Sequence, residues 1–183
     1  MNDSSFFYSY LSKLGHAFRD ASSEDLREMV GMIQNASSKK NKVIIAGNGG
    51  SAAIASHVSV DLTKSAGIRC INFNESDLLT CLANDFGYEN WVDRAIEMYS
   101  DVGDLVILIS SSGRSPNIIN AAKSCRSRGL GLITFSGFSA DNELKGLGDI
   151  NFWVNSDVYN IVETTHQTWL LAVVDFLAIQ NDQ

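Results

Sequence analysis

The sequence predicts an α/β fold, a three-layer sandwich with a five-stranded parallel sheet, led by two N-terminal helices and closed by a long C-terminal helix. Three observations predict it. Short apolar runs recur between stretches of helical periodicity, the pattern of right-handed βαβ units. The clearest run, Leu105-Val106-Ile107-Leu108-Ile109, is wholly aliphatic, as befits a parallel strand covered on both faces. Glycine-rich or serine-rich loops directly follow two of the runs, where an open α/β sheet places its ligands.

In chain order, residues 4–20 carry Phe6, Phe7, Tyr10, Leu11, Leu14 and Phe18 at helical spacing, and predict an amphipathic helix. A second helix is expected from about Glu24 to Ser37, with Ser22 or Ser23 as its N-cap. This aromatic lead-in, residues 1–40, must pack against the sheet or another subunit. The α/β core, residues 41–183, has strand candidates at Val43–Ala46, Ile68–Phe73, Leu105–Ile109, Leu130–Phe135 and Ile150–Val154. Helical segments include one starting at Ser51, Leu78–Ala83, Asn117–Arg128 and Tyr159 to about Ile179. One proline, Pro116, and no repeat or low-complexity segment leave a single domain as the reading.

Bulk properties exclude several functions. The net charge of −7 carries no electrostatic footprint for nucleic acid. No run approaches the roughly 18–20 apolar residues of a membrane span, and the N-terminus lacks the features of a signal peptide, so a cytoplasmic location is expected. Cys70, Cys81 and Cys125 lack CxxC spacing and are odd in number, which argues against disulfides and for three small buried hydrophobes.

The loops carry the chemistry. Gly47-Asn48-Gly49-Gly50-Ser51-Ala52 follows the first strand; its glycines allow close backbone approach, and Ser51 can cap a helix whose N-terminus favours an anion. The string also fits the loose GxGxxA dinucleotide pattern, which expects an acidic residue roughly 20 positions later; Glu75 is a poor match, and a plain glycine turn explains the loop as well. Ser110-Ser111-Ser112-Gly113-Arg114-Ser115-Pro116 follows the third strand. One serine would suffice as a cap; four hydroxyls before a proline-led helix make a neutral oxyanion cradle. Two cradles at neighbouring strand ends suit a small ligand with a phosphate at one end. His57 and Asp61 (i, i+4) share a helix face, as a catalytic pair or as a simple surface hydrogen bond. Asn84-Asp85-Phe86-Gly87 reads as a turn. On the last helix Glu163 and His166 (i, i+3) share a face.

Together these segments resemble the SIS (sugar isomerase) domain family, with its flavodoxin-like fold, and within it the phosphoheptose isomerases. The likeness covers nearly the whole chain: Gly47–Ala53 with His57 and Asp61, then Asn84–Gly87, Ser110–Ser115 and Val162–His166, in order. It implies an isomerase that converts sedoheptulose 7-phosphate to D-glycero-D-manno-heptose 7-phosphate through an enediol, in lipopolysaccharide or capsule heptose synthesis. Asn48, Gly49, Gly50, Ser51, Asn84, Asp85, Ser110, Ser111, Ser112 and Ser115 would hold the phosphosugar. His57, Asp61 and Glu163 would be catalytic, or would bind one zinc ion per site. The likeness further implies no nucleotide cofactor and a homotetramer with sites at subunit interfaces.

Three departures from the family pattern stand out. Asp61 occupies a glutamate position, Glu163 a glutamine position, and Leu171 the position of the second catalytic histidine. They leave two further readings: a non-catalytic phosphosugar-binding adaptor or regulator, and an isomerase of another phosphosugar in surface-polysaccharide synthesis.

Overall fold

The structure, a computed structural model, describes residues 3–181. Two helices, α1 (Asp3–Ala17) and α2 (Ser23–Ser38), lead into β1 (Val43–Gly47), α3 (Gly50–Lys64), β2 (Cys70–Ile71), α4 (Ser76–Phe86) and α5 (Trp91–Tyr99). Then follow β3 (Leu105–Ser110), α6 (Pro116–Ser127), β4 (Gly131–Ser136), a 3-10 turn (Glu143–Gly146), β5 (Ile150–Trp153) and α7 (Tyr159–Asn181).

The five strands form one parallel sheet in the order β2-β1-β3-β4-β5. The expected fold class is therefore present. Strand residues alternate between two cores. Val43, Ile45, Ile107, Ile109 and Phe135 meet α2, α3 and α7 on one face, while Ile44, Ala46, Val106, Leu108 and Leu132 meet α4, α5 and α6 on the other. The period-two alternation of a strand turns one aliphatic run into two buried faces.

Local chemistry sets most boundaries. Ser22 caps α2, its hydroxyl accepting from the Asp25 N–H at 3.0 Å. Pro116 opens α6, where its missing N–H costs no helical bond. Gly87, at φ 84°, ends α4.

Several expectations need correction. The second strand covers only Cys70–Ile71, paired with Val43 and Ile44, because it lies at the sheet edge and the Asn72 and Asn74 side chains bond α3 instead. Ser51 is not an N-cap; Gly49, at φ 53°, starts α3, and Ser51 is buried within it. Asn84 and Asp85 lie in the last turn of α4 rather than in a free turn. Cys125 is buried, Cys70 is half-buried and Cys81 is exposed, so only one of the three cysteines fits the expected core role. Burial pushes the Cys70 and Cys125 thiols up to about 12, so neither is a ready nucleophile. Among the described residues no helix is long and apolar enough to cross a membrane.

Candidate active site

The strand order reverses at β1 and β3: the chain leaves β1 toward β2 and leaves β3 toward β4. Crevices at such switch points are where open α/β sheets bind ligands. Here the glycine loop runs from β1 into α3 on one face, and the serine loop from β3 into α6 on the other. Between them lies a crevice of about 260 Å³, lined by Asn48, Gly49, Gly50, Ser51, Ser110, Ser111, Ser112 and Ser115, with Ile109, Tyr159 and Glu163.

Two helix N-termini open onto this crevice. Neither Gly49 before α3 nor Ser115 before α6 caps its helix with a side-chain hydrogen bond. The Gly50 and Ser51 N–H groups of α3 and the Asn117 N–H of α6, where Pro116 has none, are thus met by no side-chain cap, and the helix dipoles favour an anion there. Gly113, at φ 63°, turns the serine loop back, its N–H donating to the Ser110 carbonyl at 2.9 Å. The Ser110 hydroxyl donates to Ser115 at 3.1 Å. Arg114 points outward and pairs with Asp141 at 3.4 Å, so the lining contains neither lysine nor arginine. The cradle expected from the sequence is assembled, from neutral donors.

Glu163 enters from the first turns of α7. Its carboxylate accepts from the Ser111 hydroxyl at 3.3 Å and fills the space a Cβ on Gly50 would need. His166, one turn on, does not share this setting. It is fully buried, its Nε2 lies 3.0 Å from the Ser136 carbonyl, and its ring packs edge-on against Phe135. Burial pulls its pKa down to about 4. Leu171 is half-buried against the core.

His57 and Asp61 are not among the crevice-lining residues. They pair along α3 beside α7, Nε2 to Oδ2 at 3.1 Å, with the imidazole about half exposed. The Gln167 side-chain nitrogen lies 3.0 Å from His57 Nδ1. An amide N–H donated there requires the imidazole proton on Nε2, pointing at Asp61. Gly50 faces Glu163, and His57 faces Gln167, so α3 and α7 run in parallel and form a track leading away from the cradle.

The three-residue metal set does not assemble. His57 is engaged by Asp61 and Gln167, Glu163 is at Ser111, and among the described residues no group of three His, Cys, Asp or Glu side chains is placed to hold an ion. The donor set does not fit a metal, and no step below runs through one. Asn84 and Asp85 are exposed, bonded to each other at 2.9 Å, and also lie outside the crevice lining.

Comparison with known proteins agrees with this architecture. The SIS domain family model matches residues 6–137. A probable phosphoheptose isomerase of Thermoplasma acidophilum is 35% identical over 166 residues, covering 87% of this chain and 90% of that protein. The chain belongs to the phosphoheptose isomerase family of SIS domains. Solved phosphoheptose isomerases from Francisella tularensis (TM-score 0.89, 20% identity, 98% of this chain and 100% of that one) and Neisseria gonorrhoeae (0.86, 21%, 95% and 96%) share its fold. Within this SIS domain, Tyr159, Gln167, Tyr88 and Asn117 are side chains of the site region that sequence reasoning missed. Only Gln167 left a signal, one helical turn beyond Glu163.

Proposed function

We propose that this protein is a phosphosugar aldose–ketose isomerase, acting on sedoheptulose 7-phosphate to give D-glycero-D-manno-heptose 7-phosphate. The observation that carries the reading is the cation-free crevice where two uncapped helix N-termini and five serines converge beside one carboxylate. The phosphate sits in the cradle, held by N–H groups and hydroxyls. The sugar extends along the α3–α7 track. His57 lies seven residues beyond Gly50, roughly 10 Å along the helix, a span suited to an extended seven-carbon chain.

The reaction moves one carbon-bound proton. A carboxylate takes a proton from C1 of the ketose, an enediol forms, and the proton returns to C2 while the hydroxyl proton passes from O1 to O2. Glu163 and Asp61 are the carboxylates along the track, and the His57 Nε2–H orients Asp61. Asp61 reaches one methylene less far than a glutamate would, and a base misplaced by ~1 Å can cost about 100-fold in rate.

The same protein is read as a homotetramer in a heptose pathway of the cytoplasm. Exposed His57, Asn84, Asp85 and the α1 aromatics are the residues a neighbouring subunit would cover. Leu171 favours a second reading, a phosphosugar-binding regulator without turnover, since a leucine side chain carries no proton. The test is to incubate the protein with sedoheptulose 7-phosphate, with and without zinc, and follow C1 and C2 by NMR. Product formation supports the isomerase. Saturable binding without product supports the regulator, and absence of binding removes the substrate assignment.

A further inference from the structure

We infer that Asn117, a buried residue outside the ligand lining, is a positioning residue that sets the width of the phosphate crevice. This inference rests on the phosphate-cradle reading above. Asn117 is the second residue of α6 and is 1% exposed. Its carboxamide and that of Asn48 form a reciprocal pair: each Nδ2 donates to the other's Oδ1, both at 2.9 Å. The Tyr88 hydroxyl, arriving from the segment after α4, donates to the same Asn48 Oδ1 at 3.2 Å.

The place of this pair in the topology gives it meaning. Asn48 sits in the loop that leads to α3, and Asn117 in the helix that follows the serine loop. Those helices cover opposite faces of the sheet. Below the crevice the two loops are joined by the β1–β3 ladder, which reaches Gly47 and Ile109. Past the end of that ladder, the side-chain amide pair of Asn48 and Asn117 links the two segments. It therefore fixes how far the uncapped N-terminus of α3 stands from that of α6. A phosphate touching both can be matched only at one separation, and preorganised donors bind without the cost of closing the gap. Both partners are neutral, so the clamp adds no charge beside the anion. Asn48 thereby acts mainly through Asn117 and Tyr88, and less as a direct sugar ligand.

The test compares Asn117→Ala, Asn117→Asp and the double variant Asn48→Ala/Asn117→Ala, with Val173→Ala as a control that loosens the distant α7 core. Inorganic phosphate binding is measured by titration calorimetry, sugar-phosphate KM and kcat by NMR, and melting temperature alongside. Asn117→Ala should weaken phosphate and raise KM by at least about tenfold, with kcat changed less. Asn117→Asp keeps one bond to Asn48 but puts a carboxylate by the anion, so it should weaken phosphate further. The double variant should be no worse than its parts, since both remove the same pair. Val173→Ala should lower the melting temperature without moving phosphate affinity. Phosphate affinity within twofold of wild type in both Asn117 variants would overturn the inference, as would a loss matched by Val173→Ala at equal melting temperature. If wild type binds phosphate but turns over no sugar phosphate, the isomerase reading fails, while loss of phosphate in Asn117→Ala still upholds the clamp.

Discussion

Glu163 is the one carboxylate among the described residues lining the crevice, and it faces the serine loop proposed to hold the phosphate. Replacing it by glutamine keeps an oxygen to accept from Ser111 but removes the charge and the basic group. Glu163→Gln should lower kcat on the order of 100-fold or more while leaving phosphate affinity equal or tighter; unchanged kcat in steady-state assays would remove Glu163 from the proton transfer. His166 makes a different prediction. Its Nε2 is held by the Ser136 carbonyl, its Nδ1 meets no partner among the described residues, and burial holds the pKa near 4 against 6.5 in the open chain. The unfolded chain therefore takes up a proton that the folded protein refuses. Stability from this residue is complete above pH 6.5 and declines as pH falls toward 4, by about 3 kcal/mol at most. Urea midpoints measured across that range should slope less in His166→Phe; an equal slope would assign the acid sensitivity elsewhere. At this scale the serine cradle was legible, because four hydroxyls crowd between one strand and one helix. Asn117 was not, and Gln167 only as a polar residue one turn beyond Glu163, because their partners lie 69 and 110 residues away and only the fold brings them together.

Elements were readable where periodicity is strong. The strands β1 and β3 are aliphatic runs ending in glycine or serine, β4 is an apolar run holding Thr134 and Phe135, and α7 is a long apolar helix. The edge strand β2 was overextended, since apolar content at 68–73 does not reveal that only two residues find ladder partners. Helix α5 left a pattern in Trp91, Val92, Ala95 and Ile96 that is easily lost beside the Asn84–Gly87 turn signal. That signal was half right: Gly87 does end a helix, but Asn84 and Asp85 belong to it. Gly87 holds φ 84°, and a Cβ there would sit 2.7 Å from the Glu89 carboxylate. Gly87→Ala should cost about 1–2 kcal/mol in chemical denaturation through left-handed backbone strain, with added loss where Tyr88 is displaced from Asn48. A neutral result would mean the α4 end relaxes freely.

At the level of the molecule, the two-faced core accounts for the folded domain, but not for α1. Only Ala17 of that helix is buried, while Phe7 and Leu11 remain more than 60% exposed. Apolar rows of this kind ask for a covering surface, and the proposed tetramer supplies one. Phe7→Asp with Leu11→Asp should shift sedimentation toward smaller species without loss of secondary structure; an unchanged oligomer would place the interface elsewhere. The fold class and the family likeness were legible across the whole chain, whereas the proposed assembly rests on an exposed apolar stripe alone. The outward turn of Arg114 has its own physiological meaning. An anion held by backbone dipoles and hydroxyls displaces few counterions when it binds, so the sugar-phosphate KM should stay nearly flat between roughly 0.05 and 0.5 M salt, or fall slightly as Glu163 is screened. A steep rise of KM with ionic strength would reveal a cation reaching the site. Without one, substrate would be held almost equally well in dilute and in concentrated electrolyte.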